Sequence, residues 1–347
     1  MNLKYKYPIY EPLLEKTDLK NVIDSLENNQ ISSKGPYVKK FEKKFSSIHH
    51  NLDALAVSNG TVALQLALKS LGIAKGDEVI VPNSTFAAPA NAVIDVGAVP
   101  VFSDVCRKEL IIKPDYFKNL INKKTKAIIC VHLYGSPCDM KEILSIAKKK
   151  KLFVIEDCAE ALGSKYKKRF VGTFGDIGTF SFFGNKTITT GEGGMLLFKN
   201  SKHYKKASLL RDHGMSDKKR YWHLISGYNY RITNIQSALG YGQLTRFSKI
   251  IKKKIEIAET YKNELRNFKD KLYFIQSPNY KLNTYWLFCI ILKKNKADTI
   301  IKKLEKYKIE ARKIFDIDYK KIEILIHPKS YIHAILKFNN GLTNIIV

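Results

Sequence analysis

The chain has 347 residues with 45% hydrophobic content, enough for one large α/β unit plus a smaller one and too apolar for wholesale disorder. A net charge of +28 raises the question of nucleic acid, but the lysines are scattered over the polar faces of predicted helices. That pattern points to compositional bias and argues against a nucleic-acid-binding face. Apolar runs stay short of the roughly 18 residues that would span a membrane, and the first residues carry no signal-peptide core, so a soluble, cytoplasmic protein is expected. The five cysteines are odd in number and lack CxxC spacing, which reads as free thiols in a reducing compartment. The eight histidines show no metal-ligand spacing, so no metal is expected.

In chain order, Asp18 to Asn28 reads as an amphipathic helix with Val22, Ile23 and Leu26 on its apolar face and Asp18 at its N-cap. Ser32-Ser33-Lys34-Gly35-Pro36 is a loop before a helix near Val38 to Ile48. A short strand then ends at Ser58-Asn59-Gly60-Thr61, where a helix begins. Free N–H groups at that helix start can hold a phosphate through Gly60 and Thr61, or can simply be capped by Ser58 or Asn59. Strands at 78–82, 99–103, 126–131 and 152–155 alternate with helices at 86–96 and 140–149, which predicts a parallel sheet with helices on its faces. Ligands bind such sheets beyond the carboxyl ends of the strands.

Two strand ends carry chemistry. Asp157 closes the buried run Val154-Ile155-Glu156-Asp157, where a carboxylate needs a partner. A protonated pyridine nitrogen would be one, and a salt bridge or a helix cap would serve as well. Lys186 sits in a turn of Gly, Asn, Ser and Thr between strands at 177–183 and 195–198. A lysine flanked by buried strands is partly desolvated, as a Schiff-base lysine must be, although an exposed hairpin lysine fits the turn equally. Phe86, at another strand end, can stack on a flat ring or belong to the core.

Beyond the lysine turn, residues 202–210 read as a helix, followed by the polar and aromatic loops Arg220 to His223 and Gly227 to Arg231. One long helix, broken once, is expected from Thr233 to Leu265. Strands at 272–275, 285–292 and 308–311 around a helix at 297–307 then mark a smaller α+β unit. The expected division is 1–245 and 246–347.

Five segments in this order resemble the DegT/DnrJ/StrS family of sugar aminotransferases. They are Ser58 to Leu64, Glu156 to Glu160, Ser181-Phe182 with Lys186, Gly191 to Gly194, and Gly227 to Arg231. The resemblance implies a fold-type-I enzyme with a mainly parallel central sheet, pyridoxal 5'-phosphate as cofactor and a homodimer with shared active sites. It implies Lys186 as the Schiff-base lysine and proton shuttle, Asp157 at the pyridine nitrogen, Glu160 near the ring hydroxyl and Phe86 on the ring. Gly60, Thr61 and Ser181 would hold the phosphate, joined by Asn229 from the partner subunit. Arg231, also from the partner, would face the substrate diphosphate, with Ser33 and Lys34 on the nucleotide side.

His132 to Met140 and Phe182 to Thr190 resemble the branch that moves an amino group from L-glutamate to C4 of a nucleotide-linked 4-keto-6-deoxy sugar. A GDP sugar is expected, with a UDP sugar or a 3-keto sugar as the alternative. The sequence departs from the family where Asn283 replaces a frequent His and Asp316 to Tyr319 replaces a Pro-His segment. Arg312 and Asn340 to Thr343 match, and the family's closing helix is expected to be absent.

Overall fold

The computed structural model describes residues 4–294, 296–314 and 345–346. The expectations for Asp316 to Tyr319, Asn340 to Thr343 and the closing helix lie outside the described residues. In chain order the helices of four or more residues are α1 (Lys16–Glu27), α2 (Pro36–Ile48), α3 (Gly60–Leu71), α4 (Ala88–Asp95), α5 (Pro114–Phe117), α6 (Met140–Lys150), α7 (Ser201–Arg211), α8 (Asn234–Thr245), α9 (Phe247–Glu264) and α10 (Ala297–Lys306). The strands are β1 (Asp53–Val57), β2 (Glu78–Pro82), β3 (Val99–Ser103), β4 (Val105–Cys106), β5 (Ile111–Ile112), β6 (Thr125–Val131), β7 (Phe153–Asp157), β8 (Lys165–Tyr166), β9 (Arg169–Phe170), β10 (Ile177–Ser181), β11 (Gly194–Phe198), β12 (Leu272–Phe274), β13 (Lys281–Leu282), β14 (Ile290–Leu292) and β15 (Ile345–Ile346).

Seven strands make the central sheet, in the order β1-β11-β10-β7-β6-β2-β3. Only β11 runs against its neighbours; the β10–β7, β7–β6, β6–β2 and β2–β3 pairs are parallel. The cause is visible in the strands: Val79-Ile80-Val81, Ala127 to Cys130 and Val154-Ile155 are continuous apolar runs, buried on both faces by helices. The carboxyl ends of β1, β2, β6, β7 and β10 therefore share one edge. A smaller antiparallel sheet, β12-β14-β15, follows with α10 beside it.

Several expectations change, while the single break expected in the long helix is found. Helix α1 buries Asp18 and Ser25, while Ile23 and Leu26 are 51% and 50% exposed. Asp18 is no N-cap; it completes a capping box with Glu15 and accepts from Arg246 at 2.6–2.7 Å. The long helix ends at Thr245 and restarts at Phe247, with Arg246 between at φ −113°, ψ 20°. The strand expected over 285–292 is confined to β14, and that expected over 308–311 is a single bridge between Tyr7 and Ile309.

Candidate active site

A cavity of ≈ 740 Å³ opens at the shared strand edge, within the range of small-molecule sites. Each wall comes from a different strand end. Asn59, Gly60 and Thr61 follow β1, Thr85 and Phe86 follow β2, Tyr134 follows β6, Asp157 ends β7, and Ser181 ends β10.

Lys186 enters from the β10–β11 connection, which is folded back on itself: Phe182 N–H donates to Gly193 O at 2.8 Å, and Thr190 N–H to Phe182 O at 2.9 Å. Gln243 of α8 fastens the turn by accepting from Thr189 N–H at 3.0 Å and donating to Thr189 O at 2.6 Å. The Lys186 side chain is 14% exposed, with Nζ 3.7 Å from Glu160 Oε1. Glu160 Oε2 accepts from Tyr134 N–H at 3.0 Å. Burial pushes the Glu160 carboxyl above the usual range, opposed by the Lys186 charge and the Tyr134 N–H.

Neighbouring side chains on β7 point to opposite faces of the sheet. Glu156 turns away from the cavity, where it accepts from the Gly172, Phe174 and Gly175 N–H groups at 2.7–2.8 Å and pairs with His132 Nε2 at 3.0 Å. Burial would raise its carboxyl, but His132 and those amides hold it below the ordinary value. Asp157 turns into the cavity, is 6% exposed, and accepts from Ala159 N–H at 3.0 Å. Burial pushes its carboxyl up, against that N–H and the Lys186 charge. A desolvated carboxylate with such sparse compensation suits a cationic ligand group.

Gly60 opens α3, with the Asn59 side chain capping Val62 N–H at 3.0 Å, so the capping and anion-binding readings hold together. A Cβ on Gly60 would lie 2.8 Å from Ser181 Cβ, so only glycine lets backbone come this close to Ser181. This cradle at a helix N-terminus suits a phosphate. With Asp157 and Lys186 on the same cavity, the residues present fit pyridoxal phosphate.

Lys186, Asp157, Glu160, Gly60, Thr61, Ser181 and Phe86 all line the cavity, Phe86 at 56% exposure. Ser33, Lys34, Asn229 and Arg231 do not line it. Asn229 Oδ1 accepts from Arg231 at 2.7 and 3.1 Å, and Arg231 also pairs with Asp212 and lies 3.1 Å from His213 Nε2. Ser33 and Lys34 lie on the loop tied to α8, where Asn234 N–H donates to Ser32 O at 3.0 Å. Among the lining residues to which the sequence assigns no role are Tyr134, Trp286 and Arg312. Arg312 had matched a family position without a function. Trp286, one of only two tryptophans, carried no other signal.

These groups suit amine chemistry on a flat, phosphorylated ring with a cationic nitrogen, and the mainly parallel sheet that carries them is that of a fold-type-I pyridoxal-phosphate aminotransferase. The chain belongs to the DegT/DnrJ/EryC1/StrS aminotransferase family, whose model matches residues 12–334. It is 46% identical over 314 residues to the GDP-perosamine synthase of Escherichia coli O157:H7, covering 90% of this chain and 85% of that protein. To the GDP-perosamine synthase of Vibrio cholerae it is 43% identical over 311 residues, covering 89% and 84%. The aminotransferase of Psychrobacter cryohalolentis has a similar structure, with a TM-score of 0.88 at 30% identity over 97% of this chain and 92% of that one. The chain is thus a pyridoxal-phosphate-dependent sugar aminotransferase. The nucleic-acid alternative is not favoured.

Proposed function

We propose that this enzyme moves an amino group from L-glutamate to C4 of a GDP-linked 4-keto-6-deoxy sugar, a reading supported by its likeness to two GDP-perosamine synthases. The observation that carries the reading is the meeting of Lys186, Asp157, Glu160 and the α3 N-terminus around one cavity. Bound there, pyridoxal phosphate supplies an aldehyde that carries the amine and a ring that draws electrons from the reacting carbon. Asp157 would keep the ring nitrogen protonated, and Gly60, Thr61 and Ser181 would bind the phosphate. Phe86 would pack against the ring, Glu160 would serve the hydroxyl side, and Lys186 would hold and move the proton.

The active unit in this reading is a homodimer. Asn229 of each subunit would reach the partner's phosphate site, and Arg231 the substrate diphosphate. Exposed apolar side chains support a self-association surface: Leu19, Ile23 and Leu26 on α1, and Tyr221, Trp222 and Leu224 on the loop before Asn229. The division at residue 245 belongs to the same proposal, with Trp286 and Arg312 brought to the cofactor by the smaller part. Ser33 and Lys34 would bind the nucleotide, and the product would feed a surface glycan such as an O-antigen. Amine transfer from glutamate, assayed side by side on GDP- and UDP-linked 4-keto-6-deoxy sugars, tests the reading. Turnover of the GDP substrate is expected, and turnover of the UDP sugar alone would replace it with the alternative.

A further inference from the structure

Lys186 rests on an indole ring, with Nζ 4.0 Å from the Trp286 ring centroid. The indole N–H donates to Asn185 O at 2.7 Å, which ties the ring to the residue just before the lysine. Tyr134 stacks with the indole, centroids 5.8 Å apart and planes 15° apart. Tyr134 N–H in turn holds Glu160, whose other oxygen lies 3.7 Å from Nζ. Asn185, Trp286, Tyr134 and Glu160 thus form a circuit around the amine, with an aromatic face on one side and a carboxylate on another.

The circuit is fastened to the framework. Ser164 Oγ lies 2.8 Å from Gly135 O and 2.7 Å from Thr284 Oγ1, so the segment before Trp286 is clamped to the turn after β6. Gly135, at φ +84°, lies so close that a Cβ there would be 2.4 Å from Asn283 Oδ1. Lys254 of α9 donates to the Trp286 carbonyl at 3.2 Å.

We propose that Trp286 is a positioning residue for Lys186: its indole face is where the amine rests whenever it is free, keeping it beside Glu160 and aimed at the reacting carbon. The proposal rests on Lys186 being the cofactor lysine. A lysine has a flexible four-carbon stem, and an amine that must take and return a proton loses rate each time it swings away. The negative face of the indole attracts the protonated form and holds the neutral form less, so the hold relaxes when the proton is delivered.

The emission arm of the test uses a Trp222→Phe background, in which all tryptophan emission comes from Trp286, and the kinetic arm uses the chain with Trp222 in place. In cofactor-free protein, Lys186→Met should change the Trp286 emission, because it removes a cation from the ring face. In cofactor-loaded protein, Trp286→Leu should lower kcat per loaded site about tenfold with little change in the sugar KM, and Trp286→Phe should recover part of that loss. A merely structural tryptophan would instead lower Tm and cofactor content and leave kcat per loaded site unchanged. Emission indifferent to the Lys186 charge overturns the proposal, as does a Trp286→Leu or Trp286→Phe protein in which kcat per loaded site stays at the wild-type value. Whether Lys186 is the cofactor lysine is read separately, by borohydride fixation of the cofactor and peptide mapping, so the two failures are distinguishable.

Discussion

Lys186 Nζ and Glu160 Oε1 lie 3.7 Å apart, although one residue comes from the loop after β10 and the other from the turn after β7. The parallel β7–β10 pairing, which sets Asp157 opposite Thr179, brings the two strand ends together. The same register leaves Asp157 and Glu160 facing one amine.

Glu160 is buried and its carboxyl is raised, chiefly by desolvation. A raised carboxyl favours the folded state most when protonated, and that contribution is lost as pH rises through its folded value. Glu160→Gln should therefore raise the Tm of the cofactor-free protein at pH 7–8. The gain should shrink as pH falls toward the ordinary glutamate range. Thermal scans across pH check this.

Gly60 allows no side chain without moving Ser181. Gly60→Ala should weaken cofactor retention on dialysis by at least tenfold while leaving the far-UV circular dichroism unchanged, since alanine suits a first-turn helical position.

His49 is fully buried, stacked on Phe45 at 4.3 Å, and burial pushes its imidazole down to about 4, against a hydrogen bond to the Phe45 carbonyl. A depressed imidazole costs stability as pH falls from its unfolded value near 6.5 toward about 4, amounting to about 3 kcal/mol in full. His49→Phe should flatten that acid limb in denaturant titrations at stepped pH.

The proposed shared-site dimer predicts complementation. Lys186→Met and Arg231→Ala should each be inactive alone. Co-expressed with separate tags and allowed to assemble at random, they should regain about a quarter of wild-type activity, because half the dimers are mixed and each has one intact site. No recovery in a purified mixed dimer would place Arg231 in its own subunit's chemistry.

Much of the site was legible because strand ends are. Buried apolar runs fix β2 and β3 to the residue, and a parallel sheet sends whatever follows such runs to one edge, which marks Phe86 and Asp157; that Gly60 and Lys186 join them was implied by the family resemblance. Trp286 was not legible: it reaches the lysine because residues 283–286 are clamped to the turn after β6, a contact between segments far apart in sequence. The face of α1 was misread for a similar reason. Asp18 and Ser25 are buried because Arg246 and Asn234 come to meet them, which no local periodicity encodes.

The most direct measurement is borohydride reduction of the cofactor-loaded protein, followed by peptide mass spectrometry, with and without prior exposure to glutamate. The account predicts a pyridoxyl adduct on Lys186 that glutamate pretreatment removes. An adduct on a different lysine, or one on Lys186 that glutamate leaves untouched, would contradict it.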